Sequence, residues 1–261
     1  MKTVILAVVL TVIGTFSNCA IAQERAVTNT PDAHSADKRQ FVLVELFTSE
    51  GCNTCPPADR VLGILQSNSQ IVPGADVITL GFHVDYWDDG GWKDRFDSAE
   101  YTRRQQAYAR QMRIDAPYTP QMVVDGSTEF VGSNAVKATD AITRSAAQPK
   151  ATLGLKIDSD KLSVNISGLQ AHTDATVYLA VAENGLSTKV GGGENTGKAL
   201  QHSSVVRNLT TIGSIKGREN SLNVEKALPV NKNWKDENLK YVVFVQENKT
   251  LKILAVNQTS R

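Results

Sequence analysis

Cys52 and Cys55 stand three residues apart, just after the apolar run Phe41–Val44 and just before Pro56 and Pro57. A strand that runs into a helix beginning at such a pair sets the first thiol at the helix N-terminus. There, unpaired N–H groups and the helix dipole favour the thiolate. The second thiol sits one turn further on, within reach of a small disulfide ring. Three uses fit the pair: thiol–disulfide exchange, a disulfide that staples the start of the helix, or metal binding. A short ring removes little entropy from the unfolded chain, which makes stapling inefficient. Metal binding lacks a tight ligand spacing, because only His83 and Asp85 lie nearby in a strand-end segment.

The elements that must hold the pair are legible on either side of it. Phe41–Phe47 reads as a buried strand and Ala58–Gln66 as a helix with Val61, Leu62 and Leu65 on one face; the prolines fit only in its first turn. Val77–Val84 is a second apolar strand, so strand, helix and strand form a parallel unit. Asp97–Glu100 has capping-box spacing and opens a helix to Met112. Arg103, Arg104, Arg110 and Arg113 on that helix read as a solvated basic face. A strand at Gln121–Asp125, a turn at Gly126, a short strand at Thr128–Val131 and a helix at 134–146 complete the order β-α-β-α-β-β-α. Beyond Lys150 the pattern changes to short alternating runs, with hairpin turns at Asp158–Asp160 and Glu247–Lys249.

Residues 1–22 have a basic start, an apolar stretch and an Ala-x-Ala site, the pattern of a cleaved secretory signal peptide. Its removal would take Cys19 with it and deliver the chain to the periplasm or outside the cell, where disulfides persist. Residues 23–40 carry little to bury and read as a flexible leader. The processed chain would hold 27 basic and 27 acidic residues. That balance gives no electrostatic footprint for nucleic acid, and no other segment is long and apolar enough to span a membrane.

The order of elements, the Cys-x-x-Cys after the first strand and the Thr119-Pro120 pair before the third resemble the thioredoxin superfamily. More closely, the chain resembles secreted thioredoxin-like proteins classed as a domain of unknown function. The matching stretches are Val44–Cys52, Pro56–Arg60, Phe82–Trp87, Gly91–Asp94, Tyr118–Gly126, Gly193–Asn195, His202 and Val205–Arg207. The resemblance implies an α/β class, with a thioredoxin-like domain over 41–148; the alternating runs after it, such as Leu153, Leu155 and Ile157, read as a smaller all-β, sandwich-like domain over 149–261. It implies Cys52 as the attacking thiol, more exposed and more acidic, and Cys55 as the resolving one. It also implies a cis peptide before Pro120, with Thr119 offering its backbone to an extended substrate. Glu45 lies near the place of a buried acid in thioredoxin, where it would take the proton of Cys55; otherwise it points to water or pairs with a basic neighbour.

The aromatic and acidic stretch Asp85–Asp97 follows a strand end, where loops overhang the site of a parallel sheet, so Trp87 and Trp92 are candidate walls of a substrate cleft. Glu194, Asn195, His202 and Arg207, carried by the resemblance in the second half, are candidate contributors to the same cleft. Gly191–Lys198 nearly matches a phosphate-binding loop, but Ala199 follows where a magnesium-binding hydroxyl is needed. The sequence therefore predicts a thiol–disulfide oxidoreductase or isomerase, with cysteine-containing protein clients, a separate redox partner and no cofactor or resident metal. A non-catalytic binding module and a metal chaperone are the alternatives.

Overall fold

Buried apolar strands account for the centre of the molecule. In the structure, a computed structural model that describes residues 39–261, the first is β1 (Gln40–Thr48), buried from Val42 onward. Such a continuous apolar strand needs cover on both faces and partners on both edges. One edge is taken by parallel β2 (Ala75–His83), the other by antiparallel β3 (Gln121–Val124), which is followed by β4 (Thr128–Val131). Alternation along β1 sends Val42, Val44 and Leu46 to the face covered by α1 (Pro56–Ser67) and α3 (Ala135–Ala146). Leu43 and Phe47 face α2 (Ala99–Met112) and its Tyr101 and Tyr108.

Local signals explain the helix starts. Pro56 and Pro57 occupy the first turn of α1, where a missing N–H costs nothing. The cap of α2 is Ser98, whose hydroxyl accepts from Glu100 N, one residue inside the box read from the sequence. Asn134 caps α3 by accepting from Lys137 N at 3.0 Å.

The element order over the first half is the one expected, but the fold class is not. The thioredoxin-like domain followed by a separate β-sandwich is replaced by one mixed sheet of eight strands, ordered β13-β12-β7-β10-β2-β1-β3-β4. Its added strands are β7 (Ala175–Glu183), β10 (Val205–Ile215), β12 (Leu239–Glu247) and β13 (Ile253–Thr259). The junction is β10 beside β2, in parallel, with Val205 opposite Gly81 and Gly81 N donating to Ser204 O at 2.7 Å. The physical reason lies in β2, which is apolar on both faces and leaves an unpaired edge if residues 41–148 stand alone. A side chain at Gly81 would come within 3.2 Å of the Ser203 carbonyl, so glycine permits the approach.

The cores show the same continuity. Leu43, Phe47, Leu80 and Phe82 pack in one cluster with Ala180, Ala182, Val206, Leu209 and Phe244. A sandwich does exist in the second half: β5 (Thr152–Asp158), β6 (Lys161–Ser167) and β11 (Ser221–Ala227) form a three-stranded sheet. It closes over the far end of the eight-stranded sheet through Leu162, Val164, Ile166, Val177, Leu179 and Val243. The sheet that it covers is shared with the first half, so the boundary at 148/149 does not divide the structure. A short hairpin, β8 (Leu186–Lys189) and β9 (Ala199–His202), projects from the join. The signal peptide expected over 1–22 and the leader expected over 23–40 lie outside the described residues, except that Arg39 pairs with Asp76 at 3.1 Å and Gln40 opens β1, so these two belong to the fold and not to a flexible leader. Among the described residues, no helix is long and apolar enough to cross a membrane.

Candidate functional site

At the C-terminal end of β1 the chain turns through Ser49–Thr54 and enters α1 at Cys55. Cys52 and Cys55 are joined by a disulfide with 5.4 Å between their Cα atoms. The carbonyl of Cys55 accepts from Ala58 N and Asp59 N, so the ring is continuous with the first turn of α1. Both cysteines are 0% exposed in this disulfide, so neither sulfur is the more accessible in the oxidised protein.

The second half of the chain reaches the cysteine loop. Between β8 and β9 the segment Gly191–Lys198 makes a 3-10 turn at Gly193–Asn195. The Asn195 side-chain amide donates to the carbonyls of Glu50 and Cys52, at 2.9 Å each. Glu194 accepts from Asn53 N at 3.2 Å. Lys198 donates to the Asn195 side-chain oxygen at 2.8 Å, fixing which end of the amide faces the cysteine loop. The fit needs glycine: a Cβ at Gly192 would lie 2.3 Å from the Gly91 carbonyl.

Beneath the disulfide loop lies a buried polar cluster. Glu50, 0% exposed, donates its N–H to Asp94 Oδ2 at 2.8 Å and accepts from Trp92 Nε1 at 2.8 Å. Its other oxygen, Oε1, is 3.1 Å from His202 Nε2, off the alignment of a hydrogen bond. His83 Nδ1 sits 2.7 Å from Asp94 Oδ2. The His83 and His202 rings meet edge to face at 5.1 Å, and Phe96 packs against both.

Charge compensation fixes the protonation of this cluster. Burial alone would lower the pKa of His83, but the Asp94 carboxylate, with Asp59 and Glu50 behind it, holds it above the usual value. Burial pushes Asp94 up, yet the His83 contact and the N–H groups of Glu50 and Phe96 bring it below the usual carboxylate value. Glu50 is likewise lowered: burial is outweighed by His202, Thr188 and Trp92, with Asp94 opposing. Asp59, on α1, goes the other way, since burial raises it more than His83 and His202 lower it.

The remaining sequence candidates divide. Trp92 is half-buried under Gly191–Gly193 and serves as a donor to Glu50, so it is part of the clamp instead of an open wall. Trp87 lies beside Gly51 and donates to the Thr119 hydroxyl at 2.7 Å, tying Thr119 to the cysteine loop. The Thr119–Pro120 bond is cis, and Pro120 and Ala58 flank Gly132. Glu194, Asn195 and His202 reach the site. Arg207 does not: it pairs with Glu183 at 3.0 Å and stacks on Phe96.

Glu45 is not brought to the cysteines. By β1 alternation it faces α2, where Arg104 Nε lies 2.6 Å from Oε1 and Tyr108 donates to Oε2 at 2.5 Å. Arg104 in turn bonds Gln246 and lies over the Phe82, Tyr108, Tyr178 and Phe244 rings, so it does not belong to a solvated basic face. Asp85 accepts from Thr102 of α2 and does not join the cluster. Glu50, Asp59 and Asp94 carry no local signal of their own in the sequence; what marks them there is their position inside Val44–Cys52, Pro56–Arg60 and Gly91–Asp94, the stretches that carry the family resemblance. Among the described residues, no group of three or more His, Cys, Asp or Glu is disposed to hold a metal ion.

The signature of the family described as protein of unknown function (DUF1223) matches residues 43–246, which include the disulfide, Glu50, Asp94, Asn195 and His202. The chain belongs to that family. The crystal structure of protein AGR_C_4864 from Agrobacterium tumefaciens is similar at 27% identity and a TM-score of 0.67, over 86% of this chain and 95% of that one. HBP35 of Porphyromonas gingivalis shares the fold, with a TM-score of 0.55 at 14% identity over 86% of this chain and 76% of that one. No curated protein matches the chain. The DUF1223 match runs across 148/149, as the eight-stranded sheet does.

Proposed function

We propose that this DUF1223 protein is a secreted or periplasmic thiol–disulfide exchange protein that acts on cysteine-containing protein clients through the Cys52–Cys55 couple. The observation that carries the reading is the placement of the disulfide at the start of α1, over a buried cluster of Glu50, His83, Asp94 and His202. A disulfide that only stapled the helix start would need no such cluster, and burying unpaired polar atoms there costs stability. Asp59 and His83, both held above their usual pKa values, are groups able to move a proton as a thiol forms or ionises.

In this reading a client thiolate attacks Cys52, and Cys55 leaves. The helix N-terminus stabilises the developing thiolate. Because both cysteines are covered, attack requires the Gly193–Asn195 turn to withdraw, and the segment that covers the site then selects what enters. Equilibration of the protein with glutathione buffers tests the proposal. A reversible two-electron couple, with exchange on a thiol-containing peptide lost in Cys52→Ser, is the expected result; a disulfide that glutathione cannot reduce in the folded protein would exclude it.

Full burial favours one second reading, a binding module whose disulfide is only structural. The same titration separates the two. A folded protein that keeps its partner while its disulfide stays inert belongs to the second.

A further inference from the structure

Exchange at Cys52 leaves Cys55 to gain or lose a proton, and Glu45 is not available for it. It lies on the opposite face of β1 from α1, bound by Arg104 and Tyr108. Glu50 and Asp94 are closed from solvent, at 0% and 1% exposure, and are held ionised by their donors. Asp59 differs from all three. It follows Cys55 by four residues on α1, and such pairs share a helix face with Cβ atoms about 5–6 Å apart. Its N–H donates to the Cys55 carbonyl at 3.1 Å, so both residues belong to one turn.

Asp59 also has a route to water. It lines a cleft of about 420 Å³ with Pro56 and Arg60 on the α1 side and Lys198 and Gln201 on the β9 side. On the inner side the Thr48 hydroxyl acts on its carboxyl, yet is buried without an aligned hydrogen bond of its own. The charged groups that face Asp59 come from four places: His83 on β2, His202 on β9, Asp94 in the loop before α2, and Arg60 and Lys198 at the cleft. Burial is the strongest influence and keeps the carboxyl protonated to higher pH than usual.

We propose that Asp59 is the proton acceptor and donor for Cys55, and that it exchanges its proton with solvent through the cleft between α1 and β9. The inference rests on the exchange activity proposed above. When Cys55 resolves a mixed disulfide, its S–H proton passes to the Asp59 carboxylate as its sulfur bonds to Cys52 Sγ. The bond between Cys52 and the client sulfur breaks, and the client leaves with the electron pair as a thiolate. In the opposite direction a client thiolate bonds to Cys52 Sγ, the Cys52–Cys55 bond breaks, and Cys55 leaves with the electron pair and takes the proton that Asp59 held. Electrons and protons balance within the protein and its client.

The test uses the reduced full-length protein and a chromogenic aromatic disulfide. The first aryl thiolate is released by attack of the first cysteine, the second by ring closure. Asp59→Asn is expected to slow the second release about a hundredfold near neutral pH and to flatten its pH dependence, the usual size of a lost acid–base group. The first release stays within about twofold, while Asp59→Glu recovers most of the second and Glu45→Gln leaves it unchanged. An unaltered second release in Asp59→Asn overturns the inference and leaves the exchange activity standing. Failure of the wild-type protein to release either thiolate overturns the exchange reading instead. Should Asp59→Asn not fold, carbon NMR of the wild-type Asp59 carboxyl decides: coupling to Cys55 shifts its titration between oxidised and reduced protein, and identical titrations overturn the inference.

Discussion

Asn195 donates its side-chain amide to the carbonyls of both Glu50 and Cys52, and so ties a turn of the second half to the loop that carries the disulfide. The amide is fully buried and has no water to fall back on. Asn195→Ala removes two buried hydrogen bonds and leaves the Glu50 carbonyl unpaired, while the Cys52 carbonyl keeps the Cys55 N–H, at a cost of about 1–3 kcal/mol. The expected outcome is a lower denaturation midpoint together with faster reduction of the disulfide by dithiothreitol under native conditions. Faster reduction with unchanged stability would still identify the clamp as a gate; slower reduction would show that the turn assists attack.

The polar cluster gives the protein a pH dependence whose sign follows from its shifts. His83 is raised, so the stability that it contributes is complete below the usual histidine value near 6.5 and is lost as pH rises through its folded-state value. Glu50 and Asp94 are lowered from 4.5 and 3.8; their contribution is present above those values and is lost as pH falls through the folded-state ones. Asp59 is raised, so its contribution is present below 3.8 and falls away as pH rises through its folded-state value. Stability is therefore expected to be greatest in weakly acidic solution, with an alkaline decline that His83→Gln flattens. Urea melts across the pH range, with the imidazole proton resonances as a direct readout, check both limbs.

Glu45 and Arg104 show where the sequence could be read and where it could not. A lone acid in an apolar strand marks either a solvated face or a buried partner, and β1 alternation alone does not say which face carries which helix. The partner, Arg104, sits in an arginine-rich helix that looks like a solvated face until Tyr178 and Phe244 from the second half close over it. Cys52, Cys55 and the segments β1, α1 and β2 were legible because their signals are local: periodicity, prolines at a helix start and spacing. The pairing of Val205 with Gly81 was not, because nothing in a strand's own pattern names the partner of its free edge. Asn195 and His202 were reached only through the family resemblance, while Glu50, Asp94 and Asp59 look like any loop or helix-surface acid in one dimension.

The same pair makes a prediction about stability without chemistry. Arg104 and Glu45 are 9% and 0% exposed, so Glu45→Ala strands a guanidinium among aromatic rings. Removing one partner of a buried ion pair costs about 3–5 kcal/mol. Thermal unfolding should shift strongly downward, whereas in the protein that remains folded the pH dependence of disulfide exchange keeps its wild-type shape. A changed profile would return Glu45 to the reaction.

The continuous sheet predicts that the chain cannot be divided at the change of pattern near residue 148. A fragment of residues 39–148 would expose the β2 edge where Val205 pairs, and also the apolar faces of Leu80 and Phe82 that Ala180, Val206 and Phe244 cover. An unpaired apolar edge and an uncovered face both favour association over solution as a monomer. The fragment should therefore bind a hydrophobic dye, aggregate or unfold without a cooperative transition. Residues 39–261 should melt in one transition, with matching midpoints for tryptophan fluorescence, which reports Trp87 and Trp92 at the disulfide and Trp234 against the sandwich core, and for far-ultraviolet dichroism, which reports the whole sheet. A folded, monomeric fragment with its own cooperative melt would show that the β10 junction is an adhesion between independent units instead of a shared framework. In that event the clamp of Asn195 on Cys52 would be a contact between domains, able to open without any loss of structure on either side.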